Sequence, residues 1–411
     1  MNLFLFEANN ICNGCEIKSI SFIDVIISII LFLINLYIIF LICKNYKLKI
    51  KYIFVFYLYH IGISILYLQY AFIYQGDVLD YYEKSSNVIN SFKGLGFTYS
   101  LQHILGTDFL ILILSFFKDY FYLELLSLNI IFNFIGFLGL LYTYLIIRSI
   151  TYNNNYLVKF FNLLFLCLPS IHWWTSSIGK DVIIYFCLSL IGWNFVNKSL
   201  YKKSTLAVLI LIFLIRPHLL LVILIAFYIY KLITISNSNN KENFVLIGLI
   251  PLFTYISFYF ILPNLKLNLS IEDLDFNNIF LILSNYIELK SSIFSTTGSY
   301  FYYDNFFLHI FAYLFFPLFS FQTIFYSIAS FENIFLLSVF IFSIIFINFN
   351  FRKEEKNYLI FFLIFFIIFI MLFPNATYNL GVASRQKWMV IPYMYFFIIM
   401  IIDRYKHIDL K

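Results

Sequence analysis

The sequence is dominated by apolar runs, several of which are long enough to cross a lipid bilayer. A transmembrane helix needs about 20 apolar residues, and Ile20–Cys43, Tyr52–Tyr74 and Tyr122–Ile147 each meet that length. Hydrophobic residues fill 62% of the 411 positions and charged residues only 12%, whereas soluble domains carry about 25% charged residues. The chain is therefore predicted to be an all-α, polytopic integral membrane protein without a soluble domain.

The charges between the apolar runs predict how the chain is threaded. Lysines cluster directly after the first run, at Lys44, Lys47, Lys49 and Lys51. The apolar runs together predict about eleven crossings in a single transmembrane domain, 1–411, and the excess of Lys and Arg in cytoplasmic loops predicts their orientation. The N-terminus is predicted outside and the C-terminus in the cytoplasm. Outer loops are predicted at about 75–121 and 263–305, the first including Asp108–Phe121 as a short interfacial or re-entrant helix.

Arg216-Pro217-His218 interrupts a long apolar stretch. Its flanks, Ser204–Ile215 and Leu219–Tyr230, contain no charged residue. A guanidinium in lipid costs several kcal/mol unless it faces water, protein or an anion. It could snorkel or pair with a neighbouring carboxylate, or it could hold an anionic ligand near the membrane surface. Proline disfavours helix at the residue before it, which allows two short helices meeting at an outer turn as well as one helix with Arg216 at the midplane. The two-helix arrangement is favoured, because it places most of the downstream Lys and Arg residues in cytoplasmic loops and the single crossing would place them outside.

Acidic residues follow directly after the second predicted crossing. Asp77 and Asp80 lie in the segment Gly76–Glu83, at the predicted membrane surface. A carboxylate there can act as a general base toward a sugar hydroxyl or can bind a metal ion. A solvated loop start would show the same residues. We expect no cofactor and assign no metal ligand. Whether Asp77 and Asp80 bind a divalent cation is left open.

Two further polar segments are predicted on the same side of the membrane. In Pro169–Asp181, Trp173 and Trp174 suit a membrane interface, and Lys180 with the free amides of a helix start would form an anion site. In Asn379–Lys387, two cations end an outer loop. An interfacial turn with Trp anchors, or cations that snorkel, would explain these segments without a ligand.

The cations of these segments suit one anionic ligand. A pyrophosphate offers several charges and acceptor oxygens to Arg and Lys side chains, and a pyrophosphate joined to a long hydrocarbon tail belongs at this depth. Cations placed there would also stabilise the charge that builds on a leaving pyrophosphate. The candidate binding residues are Lys180, Arg216, His218, Arg385 and Lys387. The candidate catalytic residues are Asp77 and Asp80, with His172 in reserve.

Other patterns carry less information. The net charge of +6 fits basic cytoplasmic loops, and no basic cluster is long enough to predict binding to nucleic acid. Asp273-Leu274-Asp275 is too short a pattern to be specific, and it would lie outside, away from nucleotide sugars. Cys12-Asn13-Gly14-Cys15 lacks the second Cys pair of a zinc or redox site.

The order of the motifs resembles a known class of membrane protein. An outer-loop Gly-Asp-x-x-x-Tyr is followed by Pro-Ser-x-x-x-Trp-x-Ser-x-x-x-Lys-Asp, then Arg-Pro-His, then Asn-x-Gly-x-x-x-Arg before the last helix. From about Asp77 to Pro392, this order resembles Wzy-like oligosaccharide repeat-unit polymerases. It is similar also to polyprenyl-dependent glycosyltransferases of the GT-C type, from bacterial surface-polysaccharide loci.

The resemblance implies sugar transfer from a polyprenyl-pyrophosphate-linked oligosaccharide at the outer face of the bacterial inner membrane. It implies Arg216 and Arg385 as the anion-binding pair, Lys180 as a third contact and Asp77 as the acidic residue. The partners would be this lipid-linked glycan, the bilayer, and a chain-length regulator or a flippase. Many GT-C enzymes carry their acidic residue after the first crossing, so its place after the second favours the polymerase. A transporter of lipid-linked glycan, or an assembly subunit without a site, would also fit the residues.

Overall fold

In a computed structural model the chain is helical throughout the residues described, which are 21–74, 76–86, 105–151, 156–200, 202–235, 303, 305–345, 351, 353–377 and 379–405. Fifteen α-helices lie in these ranges. The helices are α1 Phe22–Asn45, α2 Ile50–Tyr74, α3 Asp77–Lys84, α4 Thr107–Phe121, α5 Leu125–Ile150, α6 Tyr156–Leu166, α7 Pro169–Thr175, α8 Lys180–Val196, α9 Lys203–Ile215, α10 Pro217–Ile235, α11 Phe306–Phe315, α12 Ile324–Ile345, α13 Lys353–Leu372, α14 Leu380–Gln386 and α15 Ile391–Tyr405.

Among these helices, six are long and apolar enough to cross a bilayer, namely α1, α2, α5, α10, α12 and α13. Two bent pairs, α6 with α7 and α14 with α15, would raise the number to eight if each pair is one span. The chain is therefore a polytopic membrane-spanning protein. The predicted count of about eleven crossings is not confirmed, since α8 has only 17 residues and α9 only 13. The predicted crossing at Asn243–Leu262, most of the loop 263–305 and the Cys12–Cys15 pattern lie outside the described residues.

The bundle is centred on α5 and α8, which share its most extensive helix–helix contact. Glycines let the two backbones approach, as small residues do at helix interfaces in membranes. A Cβ on Gly136 would meet Val182 at 3.3 Å, and one on Gly139 would meet the ring of Tyr185 at 2.7 Å. The two contacting pairs, Gly136 with Val182 and Gly139 with Tyr185, are separated by the same number of residues. Contacts therefore advance along both helices in the same direction, so α5 and α8 run parallel to each other.

This pairing places the start of α8 well below the start of α5. Gly136 lies eleven residues after Leu125, the first residue of α5, which corresponds to roughly 16 Å along the helix axis. The short helix α7 lies next to the start of α8, because a Cβ on Gly136 would come within 1.7 Å of the carbonyl oxygen of Thr175, the last residue of α7. The turn from α7 into α8 is thus set deep inside the bundle.

Polar contacts define the two ends of the bundle. At one end, the Asp24 carboxylate of α1 accepts hydrogen bonds from the amides of Leu126 and Ser127, at 2.8 and 2.9 Å, and so caps α5. At the other end, the Arg148 guanidinium donates to the carbonyl of Tyr46 at 3.2 Å. The first end is also where α2 finishes and is called the acidic end here. The second is called the basic end.

The chain leaves the helical conformation at Arg216, as its Pro217 neighbour predicts. Helix α9 ends at Ile215, Arg216 has φ −146° and ψ 78°, and α10 begins at the proline. The Arg216 amide still donates to the carbonyl of Ile212 at 2.7 Å, so α9 is closed by its own last turn. Because of this break, the Arg216 side chain does not lie on an apolar helix face but is buried in the protein, where it pairs with Asp181.

Candidate functional site

Residues from four separate parts of the chain line one cleft at the acidic end of the bundle. They belong to α2, to α3, to the segment from α7 into α8, and to α14. The lining residues are Tyr67, Asp77, Tyr81, Trp173, Trp174, Ser177, Ile178, Gly179, Lys180, Asp181 and Arg385. Folding therefore brings together three of the polar segments that the sequence singles out, and Arg216 lies directly behind them.

Four charged side chains form an alternating series from the interior to the cleft mouth. Arg216 pairs with Asp181, Asp181 Oδ2 lies 3.8 Å from Arg385 Nε, and Arg385 Nη1 donates to Asp77 Oδ2 at 2.5 Å. The exposed fraction of the side chain rises along the series, from 7% at Arg216 through 15% and 25% to 53% at Asp77. The series thus runs from an enclosed guanidinium to an accessible carboxylate.

Asp77 is placed by a tight turn after the long helix α2. Gly76 follows that helix, and its amide donates to the carbonyl of Ala71 at 3.0 Å. A Cβ at Gly76 would lie 3.0 Å from the Cβ of Ala71, so the turn leaves little space for a larger residue. Helix α3 begins immediately afterwards, which holds its first carboxylate at the mouth of the cleft.

Lys180 and Asp181 are the first two residues of α8, deep in the bundle. The Lys180 ammonium donates to Thr107 Oγ1 at 2.7 Å, and Thr107 begins α4. The preceding residue, Gly106, donates its amide to the carbonyl of Leu214 at 2.7 Å, two residues before Arg216. The starts of α4 and α8 and the break at Arg216 are therefore fixed to one another.

Arg385 is carried by the short helix α14. The side chain of Asn379 caps this helix by accepting from the amide of Val382 at 3.1 Å. One turn later the Arg385 guanidinium reaches both Asp77 and Asp181. Within the described part of the protein, Arg385 and Asp181 each form two ion pairs at this site, Arg385 with Asp77 and Asp181, and Asp181 with Arg216 and Arg385.

One wall of the cleft is aromatic. Trp173 contacts Tyr67 and Tyr70 edge-on, with ring centroids 4.9 and 5.5 Å apart, and contacts Phe325 of α12 at 5.4 Å. Trp174 lies 6.3 Å from Tyr67 and also faces the cleft. Edge-to-face packing of this kind holds the rings firmly. The cleft therefore combines a charged side with an apolar one.

The charges of the site do not cancel. Lys180, Arg216 and Arg385 supply three cations against the two carboxylates of Asp77 and Asp181, which leaves one net positive charge. Burial raises the pKa of the Tyr81 phenol to about 12, with a further contribution from the Asp77 carboxylate. Tyr81 therefore stays neutral at physiological pH and can donate a hydrogen bond. The site as a whole favours an anion.

The structure places the other predicted residues elsewhere. Asp80 pairs with Lys84 at 2.7 Å on the exposed side of α3. His172 is buried between α2 and α6, and His218 is exposed with its ring 5.4 Å from that of Phe373. None of these three side chains lines the cleft. Their predicted roles depended on closeness in sequence to the cleft residues, and the helix faces separate them.

Lys387 lies inside the bundle and not in the cleft. Its ammonium donates to Asn333 Oδ1 at 2.6 Å and to the carbonyl of Leu314 at 3.4 Å, and the residue is only 3% exposed. Glu332, which accepts from the amide of Ser170 at 2.7 Å, is close enough to interact with it electrostatically. This arrangement is that of a buried structural cation.

We expect Lys387→Met to lower the stability of the protein rather than its affinity for an anion. Removing the ammonium leaves Asn333 Oδ1 without its donor and the buried Glu332 without a nearby cation, and leaving a buried polar group unsatisfied costs about 1–3 kcal/mol. Thermal unfolding in detergent would measure the loss. A Lys387→Met protein of normal stability that has lost pyrophosphate binding would contradict this assignment.

Sequence reasoning missed the role of Asp181 as the carboxylate that joins the two arginines. The signal was present, because Asp181 follows Lys180 directly and ends a segment already recognised as polar. Its partner could not be read from the sequence, since Arg216 is 35 residues away and Arg385 much further. Tyr67 and Tyr81 gave no signal in a chain where 23% of the residues are aromatic.

No group of three or more His, Cys, Asp or Glu side chains arranged to hold a metal ion occurs in the part of the chain that the structure describes. No protein family, characterised protein or solved structure matches this chain. The geometry of the cleft is therefore the basis for a functional assignment.

Proposed function

We propose that the protein transfers sugar from a polyprenyl-pyrophosphate-linked donor, as an oligosaccharide polymerase or glycosyltransferase of surface-polysaccharide assembly. The observation that carries this proposal is the convergence of Lys180 and Arg385 on one cleft of a membrane-spanning bundle, with Arg216 directly behind it and paired with Asp181 of the cleft. Three cations from distant segments, only partly neutralised by carboxylates, suit a ligand with several negative oxygens.

The depth of the cleft supports a lipid-linked ligand. Lys180 and Asp181 begin α8 far below the start of α5, among helices that cross the membrane. A headgroup held at that level keeps its hydrocarbon tail within the bilayer, which a soluble pyrophosphate would not require. The aromatic wall of Trp173 and Trp174 adds an apolar surface beside the charged one.

The charges at the opposite end support an external cleft. The basic end carries Lys44 and Arg148 at the ends of α1 and α5, and Arg404 near the end of α15. Basic residues concentrate at the cytoplasmic side of membrane proteins. The cleft, at the other end of the bundle, would then open to the outside of a bacterial inner membrane.

The proposed reaction uses the alternating charges in order. The pyrophosphate competes with Asp77 for Arg385 and is bound further by Lys180. An acceptor hydroxyl attacks the anomeric carbon, its proton passes to the released Asp77 carboxylate, and the bond from sugar to phosphate oxygen breaks. The leaving pyrophosphate takes the electron pair, and the cations stabilise the charge it gains. Asp181 holds Arg216 and Arg385 in position throughout.

We expect Asp77→Asn to abolish glycan extension while the protein still binds the donor. The amide cannot take up the proton of the acceptor hydroxyl, and loss of a general base typically lowers the rate by about 10²–10⁴-fold. The experiment measures the length of the surface glycan in a host lacking the native gene, together with binding of farnesyl pyrophosphate to the purified protein. Normal glycan length in Asp77→Asn would refute the assignment.

Asp80→Asn is the matched control, because Asp80 lies in the same helix but pairs with Lys84 on its exposed side. An exposed pair of this kind contributes only about 0–1 kcal/mol, so both glycan length and binding should be unchanged. Farnesol, which lacks the pyrophosphate, serves as the ligand control. Equal binding of farnesol and farnesyl pyrophosphate would show that the cations are not the recognition element.

One observation favours a transporter of lipid-linked glycan as the second candidate. The pairs α6 with α7 and α14 with α15 are bent by 41° and 51°, and both place residues in the cleft. Broken helices of this kind form substrate sites in secondary transporters. A transporter would use the same cations but would form no glycosidic bond. Purified protein in vesicles that moves labelled lipid-linked glycan across the bilayer, without lengthening it, would establish this second function.

A further inference from the structure

A buried pair of histidines lies below the cleft, between α2 and α7. His60 and His172 are both fully buried, and their Nδ1 atoms are 2.9 Å apart. Each ring also points its Nε2 atom at a backbone carbonyl. His172 Nε2 is 2.8 Å from the oxygen of Leu166, and His60 Nε2 is 3.2 Å from the oxygen of Asn133.

These contacts require more protons than two neutral rings possess. A carbonyl oxygen accepts only, so each Nε2 needs an N–H, and the contact between the two Nδ1 atoms needs a third. A neutral imidazole carries one N–H. When both rings are neutral, one of the three contacts must set a lone pair against a lone pair. The longer contact, from His60 to Asn133, is the one best suited to remain without a proton.

We propose that His60 and His172 form a binding site for a single proton, and that its occupancy controls how firmly α7 is held beside the cleft. The added proton goes to Nε2 of His60, which then donates to the carbonyl of Asn133. The pair then has three N–H groups and one positive charge, and all three contacts become hydrogen bonds. The Nδ1–H of the charged His60 ring donates to His172 in a charge-assisted bond, which is about twice as strong as a neutral one and is the contact that holds α7 against α2. This inference does not depend on the ligand of the cleft.

Aromatic rings surround the pair, and their attraction for a cation would have to offset the cost of burying the added charge. The ring of Phe56 lies 5.2 Å from that of His172, the ring of Tyr59 lies 4.6 Å from it, and Phe137 lies 6.0 Å from His60. Aromatic rings within about 6 Å attract a cation. A second proton is disfavoured, because two adjacent imidazolium rings would repel each other.

The titratable groups that face the pair are few. Tyr59 of α2 contacts His172 and donates its hydroxyl to the carbonyl of Cys167 at 3.1 Å, in the link between α6 and α7. Glu332 of α12 lies beyond Tyr59 and bonds to the start of α7. On the α5 side the described partner is a backbone carbonyl, that of Asn133, and the backbone of Thr175 in α7 is a further partner of the His60 ring. Neither a carboxylate nor a Lys or Arg side chain hydrogen-bonds either ring within the described residues.

The same helices connect the pair to the cleft. Ser64 of α2 donates to the carbonyl of Ser176 at 2.7 Å, and Asn133 of α5 donates to that carbonyl at 3.1 Å. Ser177, which lines the cleft, donates to Asn129 Oδ1 at 2.6 Å. Because both donors at Ser176 point toward one oxygen, this network does not conduct protons. The network instead fixes α7 relative to α2 and α5, so a firmer contact between α2 and α7 would hold the cleft residues Trp173, Trp174 and Ser177 more rigidly in place.

The test is a pH titration of the protein in lipid nanodiscs with ¹⁵N-labelled histidine. Between about pH 8 and pH 4, which brackets the ordinary range of histidine, the ring resonances of His60 and His172 should move together in one single-proton step. His172→Gln should abolish the step at His60. His309→Asn should leave the step unchanged, since His309 is a buried histidine whose Nε2 lies 2.9 Å from the carbonyl of Pro374.

A second measurement connects the proton to the cleft. Acrylamide, a neutral quencher that the cations do not attract, reports the accessibility of Trp173 and Trp174 in protein in which the other two tryptophans, Trp193 and Trp388, are replaced by phenylalanine. Their quenching should fall as the pair takes up its proton in the wild type and in His309→Asn, and should not change with pH in His172→Gln. The proposal is overturned if the two rings of the wild type titrate independently or not at all, a result that needs no variant to fold. Quenching that follows pH equally in His172→Gln would also overturn it.

Discussion

Replacement of Arg216 by Ala should both destabilise the protein and abolish its binding of farnesyl pyrophosphate. Arg216 and Asp181 are paired at side-chain exposures of 7% and 15%, so removal of the guanidinium leaves a largely enclosed carboxylate without its partner. Breaking a buried pair in this way costs about 3–5 kcal/mol. Thermal unfolding and ligand binding, measured on the same purified sample, would report the two effects.

A double variant separates the two roles of this residue. In Arg216→Leu with Asp181→Asn both charges are removed together, and replacing a buried ion pair by neutral groups is often close to neutral for stability. We therefore expect the double variant to recover most of the lost stability but not the binding of farnesyl pyrophosphate. Full binding by the folded double variant would show that the charge of Arg216 is not part of the anion site. A stable and active Arg216→Ala would contradict the importance of the whole series of charges.

The second large effect is expected from Gly136→Ala in α5. The new Cβ would lie 1.7 Å from the carbonyl oxygen of Thr175 and 2.9 Å from its carbonyl carbon. Both are backbone atoms, so α7 must move away from α5 as a unit. Overpacking of side chains costs about 1–3 kcal/mol, and a clash with backbone should reach at least the upper end of that range. Because Thr175 leads into the turn that lines the cleft, ligand binding should be lost as well.

Gly62→Ala is the matched control for this substitution. Gly62 lies in the interior of α2, and a Cβ there would meet nothing within 4 Å. Alanine favours a helix over glycine by about 1 kcal/mol, so the melting temperature should stay the same or rise. If Gly136→Ala melts at the same temperature as Gly62→Ala, then the close packing of α5 against α7 is wrong.

The order and type of the helices could be predicted well from the chain, because hydrophobic length is a local property. Runs such as Ile20–Cys43 and Tyr52–Tyr74 must become helices in a bilayer, where each backbone amide needs a partner within its own segment. The break at Arg216 was equally predictable, since Pro217 acts on its immediate neighbour. The number of crossings was less predictable from the chain, because a helix of 17 residues such as α8 can either cross the bilayer or lie within the bundle without crossing it.

The residues of the site were predictable by type and only partly by place. Lys180, Arg216 and Arg385 stood out because a charge in an apolar sequence is costly and must have a reason. Which of these cations share a cleft depends on the depth in the bundle at which each helix starts and on which face of the helix is turned toward the cleft. Lys387 follows Arg385 by two residues, and yet it points into the bundle toward Asn333.

The sequence by itself determined that this protein is a membrane-spanning helical bundle with a few costly cations, since both properties follow from the transfer of residues between water and lipid. Only the tertiary structure decided that Asp181 joins Arg216 to Arg385, that Asp77 closes the series and that His60 faces His172. These pairs are separated by tens to hundreds of residues. Their contact depends on the parallel packing of α5 and α8 and on the depth of α7, which no local pattern specifies.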